Sequence, residues 1–566
     1  MRKLNAAFAA PILLFVIAGC GGTNRVGPGG DDSGTSTGLG GDDGGNQGDD
    51  SCSGFCVGDA TATGDDSATI SSGLTITPNN SVIYIDTGKT PTAPGVQAYK
   101  LQLTDATGTT TDVTSSGTFS IDNPALGTFA GATFTSALTL PGTALGVTGT
   151  VTANAMGQNV PAKLTIVKLR KTPDATGKRD FFFTVPYEMA PDPASDVLKF
   201  ATNIQKVDVA LVVDTTGSMG GEIAAVQSSL QATIIPGLSA AIPSVGIAVV
   251  DHKDSSCDTP VMTIRSKVTT DYTAAENAVK AMSAGGGCDE PEAQMAAMNY
   301  TLTGSVPGLI PAMPDSIPPA PSYGGVAFRP GAVPVLVLVT DATWHDPSGS
   351  ATMTNTIAAF KAHNAKFVGL LVGSAPLPQG QTLSDATGSN LPAAALGGTC
   401  PTTTAAGGNC RLIYPVGYDG SGISTSVVKA IQAISVGSTY DITYKLANDP
   451  TNKASDGSAV DATQFITQLR AMGEGSVADG CDPSKYKYTT KKTNPANAKD
   501  DTFVAVTVGT PVCFEVIPKT NTTVKAAASA QFFNAFINMV GEPGDVDLGD
   551  QRTVVFLVPP AGPGVH

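Results

Sequence analysis

The stretch Val207-Asp208-Val209-Ala210-Leu211-Val212-Val213-Asp214-Thr215-Thr216-Gly217-Ser218-Met219 decides the fold. Its first seven residues are apolar apart from Asp208, too continuous a run for a strand with one wet face. They read as a strand buried on both sides. Asp214 ends it, and small turn-forming residues follow. Ile223, Val226, Leu230 and Ile234 then recur at helical spacing. The first unit is therefore strand, turn, helix.

Outward from it the pattern repeats. Apolar runs cover Val245–Val250, Val333–Val339 and Phe367–Val372, and helical patterns lie around Tyr272–Met282, Pro291–Leu302, Thr354–His363 and Ile423–Ile434. Buried strands alternating with helices predict a Rossmann-like α/β domain over 203–436, a mostly parallel sheet wrapped by helices. Such sheets bind ligands at the carboxyl ends of their strands. There Asp214, Thr216 and Ser218 share one turn, and Asp341 follows the strand ending Val339-Thr340. Asp289-Glu290-Pro291-Glu292 follows the turn Gly285-Gly286-Gly287, with Pro291 suited to a first helical position. Three loops thus offer only oxygen ligands, the donor set of Mg²⁺, Mn²⁺ or Ca²⁺.

Asp214-x-Thr216-x-Ser218 after an apolar strand, joined by a second strand-end Thr340-Asp341, resembles the metal-ion-dependent adhesion site of the von Willebrand factor A-type family. The resemblance implies a divalent cation held directly by the Thr216 and Ser218 hydroxyls. Asp214 and Asp341 would act through ordered water. The middle loop, Asp289-x-Pro291-Glu292, is similar to integrin β-like and hemicentin-like members rather than integrin α-like ones, which use a threonine. By that likeness Glu292 is a direct ligand, and Asp289 serves either this ion or an adjacent one. A protein or extracellular-matrix ligand would then complete the ion's shell with a carboxylate. Asp251 and Asp254 are read as ordinary loop carboxylates, with a second ion as the alternative.

The flanks are β. From 67 to 169, short alternating stretches such as Ala98–Leu103 and Val147–Ala153 indicate an all-β sandwich resembling bacterial Ig-like domains. Gly88-Lys89-Thr90 is not a phosphate loop, because Ile83 stands where the leading glycine belongs. Residues 170–202 form a linker with a strand at Asp180–Tyr187, and 437–566 return to β patterns at Tyr440–Tyr444, Phe503–Val508, Val512–Ile517 and Thr553–Val558. Two arrangements stay open. Either strand 180–187 helps complete one sandwich into which the α/β domain is inserted, as in integrin β chains, or it precedes an independent C-terminal sandwich.

At the N-terminus, Met1-Arg2-Lys3 and an apolar Ala6–Ala18 form a signal peptide over 1–19. Ile17-Ala18-Gly19-Cys20 resembles the bacterial lipoprotein signal, which implies lipidation of Cys20. Gly21 then favours the outer membrane, and a lipid-anchored, surface-exposed protein is expected. Residues 20–66 continue as a Gly/Asp-rich stalk too poor in apolar residues to fold. Eight cysteines remain, and an even number in an exported chain suggests disulfides. Neighbour pairing gives Cys52–Cys56, Cys257–Cys288, Cys400–Cys410 and Cys481–Cys513, although spacing alone fixes no connectivity. Zinc is disfavoured, since no C-x-x-C pair exists and there are only four histidines.

The net charge of −15, without a basic cluster beyond the signal, argues against a nucleic-acid partner. No zincin, phosphate-loop or serine-elbow motif sits in a fitting context, so no enzyme is expected. His252, His345 and Ser374 lie near strand ends without a suggested catalytic partner. Two classes of function follow: a metal-dependent adhesion-type receptor, or an envelope scaffold that docks a membrane complex.

Overall fold

In the computed structural model, which describes residues 73–141, 145–175, 177–405 and 407–561, the opening stretch is the third strand of a six-stranded sheet. The strands are β1 (Lys206–Asp214), β2 (Ser244–His252), β3 (Met262–Thr269), β4 (Val333–Thr340), β5 (Lys366–Val372) and β6 (Ile413–Val416). Their order is β3-β2-β1-β4-β5-β6, parallel throughout except for the edge strand β3. Alternate side chains of β1 enter two cores. Val207, Val209, Leu211 and Val213 pack with α1 (Gly220–Ser229), α2 (Tyr272–Lys280) and α6 (Ile423–Gly437). Ala210 and Val212 face α3 (Gln294–Thr303), α4 (Met353–Ala362) and α5 (Leu377–Thr387). Burial on both faces explains the unbroken apolar run.

Asp208, the one charge in that run, is fully buried and held by Arg329, whose Nε and backbone N–H each donate to it at 2.7 Å. Burial pushes its carboxyl up, and the Arg329 contacts pull it back. Arg329→Ala leaves that buried charge without its guanidinium, with only the backbone N–H at 329 still donating to it. A loss of about 3–5 kcal/mol is expected, read as a lower denaturant midpoint for the α/β region. An unchanged midpoint would show that the pair is dispensable.

Helix α3 starts later than its pattern suggested. Pro291 is not at a first helical position, because the Glu292 N–H donates to Thr343 O (2.9 Å) and its carbonyl accepts from His345 N (2.8 Å). This short bridge to the loop after β4 keeps Glu292 out of the helix, which begins only at Gln294.

The two flanks of this region share sheets. Phe181–Thr184 runs parallel to Val554–Leu557, and Asp196–Phe200 runs antiparallel to Val512–Val516. One sheet contains Phe181–Thr184, Val546–Val558, Gln531–Glu542, Thr439–Asn448, Thr502–Thr507 and Thr490–Lys491 in that order. The other contains Asp196–Phe200, Val512–Pro518 and Ile466–Ala471. Their side chains meet in one aromatic core: Phe183 on Phe556 at 5.9 Å, Phe200 on Phe514 at 5.9 Å and Phe465 on Phe556 at 5.3 Å. Residues 206–437 therefore leave and re-enter a single β core.

Upstream, the strands between Gly73 and Leu169 form three small sheets around Tyr99, Leu101, Phe134, Val151, Leu164 and Ile166. Gly88-Lys89-Thr90 lies in a turn there: Asp86 accepts from Gly88 N and Thr172 N, and no helix follows. Disulfides join Cys257–Cys288, Cys400–Cys410 and Cys481–Cys513. The signal segment, Cys20, the stalk and the Cys52–Cys56 pair lie outside the described residues. Among the described residues no helix is long and apolar enough to cross a membrane.

Candidate metal centre

The parallel register brings the ends of β1, β2 and β4 to one edge. Asp214, fully buried, has both carboxylate oxygens engaged. Oδ1 accepts from Thr216 N (3.0 Å) and Thr216 Oγ1 (2.7 Å), and Oδ2 accepts from Thr340 Oγ1 (2.8 Å). Gln294 Nε2 in turn donates to Thr340 Oγ1 at 2.8 Å. Across the turn, the exposed Ser218 donates from Oγ to Asp341 Oδ1 at 3.2 Å. The motif loop is tied down through its backbone: Thr215 N donates to His252 O (2.9 Å), and Gly217 N donates to Gly286 O (3.0 Å). Buried Met219 anchors the start of α1.

The middle loop closes over this turn. Gly287 has φ +79°, and a Cβ there would lie 2.9 Å from both Glu292 Oε1 and Thr216 Cβ. Glycine is required at that point, and Glu292 sits beside Thr216. Glu292 is nearly buried, and its Oε2 has no partner. Burial, reinforced by Asp214, Asp254, Asp258 and Asp289, pushes its carboxyl up to about 8. Asp341 is also raised, by burial first and then by Asp214 and Glu290. Fully buried Glu222, on α1, leaves both carboxylate oxygens unpartnered and is raised by burial and by Asp341, Asp214 and Asp419. The Lys253 ammonium donates instead to the carbonyls of Thr215 and Gly285.

Buried carboxylates that neither protein cations nor donors satisfy are costly. An oxygen-only cluster of this kind fits a hard divalent cation. Asp254, Cys257 and Cys288 also place ligand atoms within 4.8 Å of one another, but the two sulfurs are bonded together and are not free as thiolates.

The remaining positions separate. Asp289 is exposed and accepts from Ser256 Oγ at 3.3 Å, on the Asp254 side rather than in the Asp214–Thr216–Thr340 network. Asp251 is buried against Arg265, with contacts of 2.9 and 2.6 Å. Asp254 accepts from Ser256 N at 2.8 Å and lies 3.4 Å from His345 Nε2. His252 is fully buried with neither ring nitrogen partnered, and burial lowers its pKa. Ser374 is exposed. Sequence reasoning gave no role to Thr340, Gln294, Lys253 or Glu222. Thr340 lay inside a quoted motif and Glu222 on the first helical turn, but neither position has a spacing that marks it.

Residues 208–309 match the family model described as von Willebrand factor A domain. No curated protein matches the chain. The chain thus carries a von Willebrand factor A-type domain. The matched stretch contains Asp214, Thr216, Ser218, Asp289 and Glu292 and ends before Asp341, while the sheet continues to β6.

Proposed function

We propose that this edge of the sheet holds a Mg²⁺ or Mn²⁺ ion, or Ca²⁺, and uses it to bind a protein or matrix ligand through a carboxylate. Thr216 and Ser218 supply hydroxyls and Glu292 a carboxylate. Asp214 and Asp341 orient those hydroxyls, and Asp289 stands at the rim. The observation that carries the reading is Glu292: nearly buried, beside Thr216, with Oε2 unpartnered and four carboxylates around it. A bound cation supplies an electrophilic centre for an incoming carboxylate. The role in this reading is binding rather than catalysis: of the two nearby histidines, His252 is enclosed and His345 lies against Asp254.

The same reading takes the chain to be lipid-anchored at Cys20 to a bacterial outer membrane and surface-exposed, with the acidic stalk and the first β region holding the site away from the bilayer. Its support is the N-terminal sequence. The scaffold alternative differs in where the domain faces. Protease treatment of intact cells is expected to release the protein, whereas protection would favour the envelope-facing scaffold. A pull-down with wild type and Asp214→Ala, each with Mg²⁺ or EDTA, tests the metal step. Partners should appear only with wild type and Mg²⁺. Identical recovery in all four samples would end the proposal.

A further inference from the structure

The Cys257–Cys288 disulfide lies at the rim of the oxygen cluster, and both of its residues are exposed. Cys410, Cys481 and Cys513, from the other two described bridges, are fully buried. Cys257 sits in the loop after β2 that carries Asp254 and Asp258. Cys288 sits between the Gly285–Gly287 run and Glu292. Hydrogen bonds also join these two loops, among them Lys253 Nζ to Gly285 O. Gly287 N donates to Asp258 Oδ2 at 2.8 Å, Ser256 Oγ reaches Asp289 at 3.3 Å, and Ala293 N donates to Lys253 O at 3.1 Å. Gly285, Gly286 and Gly287 all have positive φ and no side chains to pack, so tethers at the ends of the run must fix its path. On the inner side those tethers are Gly285 N to Thr215 O and Gly217 N to Gly286 O, both 3.0 Å. On the outer side the covalent tether is the disulfide.

We propose that Cys257–Cys288 is a positioning clasp that holds Glu292 against Thr216, and that a dithiol opens it and weakens cation binding. This rests on the metal-binding reading above. One thiolate of the dithiol attacks a cysteine sulfur and displaces the other cysteine as thiolate. The reagent's second thiolate then closes its own disulfide and releases the first cysteine. Two electrons pass from reagent to protein, and two protons end on the cysteines. Opening the bridge frees a loop spanning 31 positions of sequence. The three-glycine run then gains conformations in which Glu292 is no longer beside Thr216.

The test measures Mn²⁺ affinity by titration calorimetry on three samples: oxidised protein, protein reduced with dithiothreitol and desalted without air, and the Cys257→Ser/Cys288→Ser variant. Alkylation and mass spectrometry establish which bridges are open. Second-layer groups that orient a ligand change metal affinity by about 10–100-fold. That weakening is expected in the reduced and doubly substituted proteins, with recovery when the reduced wild type is reoxidised. Equal affinity in all three overturns the clasp and leaves the metal site standing. No Mn²⁺ uptake by the oxidised protein overturns the metal-binding reading and the clasp with it. If the double variant does not fold, the reduced and reoxidised wild type decides.

Discussion

Asp214→Asn is expected to abolish metal binding while keeping the fold, and Asp214→Ala to abolish it at an added cost in stability. The asparagine carbonyl can still accept from Thr216 N and Thr216 Oγ1, the two donors on Asp214 Oδ1. Its amide faces Thr340 Oγ1, which already accepts from Gln294 Nε2 and Ala342 N, so the Thr340 hydroxyl loses its acceptor and one hydrogen bond is given up. Alanine leaves buried donors without acceptors, at about 1–3 kcal/mol for each unsatisfied group. Removing the Asp214 charge also relieves Glu292 and Glu222, both raised in part by Asp214. In the metal-free asparagine variant that relief offsets the lost Thr340 bond, so its stability should stay close to that of metal-free wild type. With Mn²⁺ at a hundred times its Kd, wild type should gain about 2.7 kcal/mol and the variants nothing. Thermal unfolding with and without Mn²⁺ measures this. An equal gain in wild type and both variants would move the site away from Asp214.

What could be read in advance follows from the range of the interactions. The β1 run and the spacing of Ile223, Val226, Leu230 and Ile234 are local signals; the first became β1, and the second became α1 for Ile223 and Val226, with Leu230 and Ile234 in the π-helical turn that follows it. Edge strand β3 gave no such signal, because its residues Met262–Thr269 are mostly half-exposed and mix apolar with charged side chains. The late start of α3 was also hidden. It depends on the Glu292 bridge to the loop after β4, a contact more than 50 positions distant in sequence. At the site, residue types on strand ends were legible, but hydrogen-bond direction was not. Nothing in the order of residues tells that Thr340 locks Asp214 while Asp289 turns toward Ser256.

The other large effect concerns the discontinuous β core. A chain ending at Gly437 is expected to lose order over 181–200 while keeping the six-stranded sheet, all of whose strands lie between Lys206 and Val416. Phe181, Phe183, Val185, Leu198 and Phe200 are buried, and the ladders of Phe181–Thr184 and Asp196–Phe200 run to Val554–Leu557 and Val512–Val516, with Thr184 also bridging Asp192 inside the same stretch. At about 1.5–3 kcal/mol for each buried side chain of this size, the truncation forfeits roughly 7–15 kcal/mol, comparable to the whole stability of a domain. Nothing within 206–437 can replace those partners, since β3 and β6 end the sheet without reaching them. Chymotrypsin should therefore cut rapidly after Phe181, Phe182 and Phe183 in the truncated chain and slowly in the full one, as read by mass spectrometry. Equal protection in both would mean that 181–200 is ordered by its upstream neighbours. Mn²⁺ binding by the truncated chain should persist, because every candidate ligand lies between Asp214 and Asp341 and the clasp between Cys257 and Cys288 closes within the same span. The β core would then serve to fix both ends of the metal-binding region, through Phe200 before β1 and through Thr439 after α6, without contributing a group to the site.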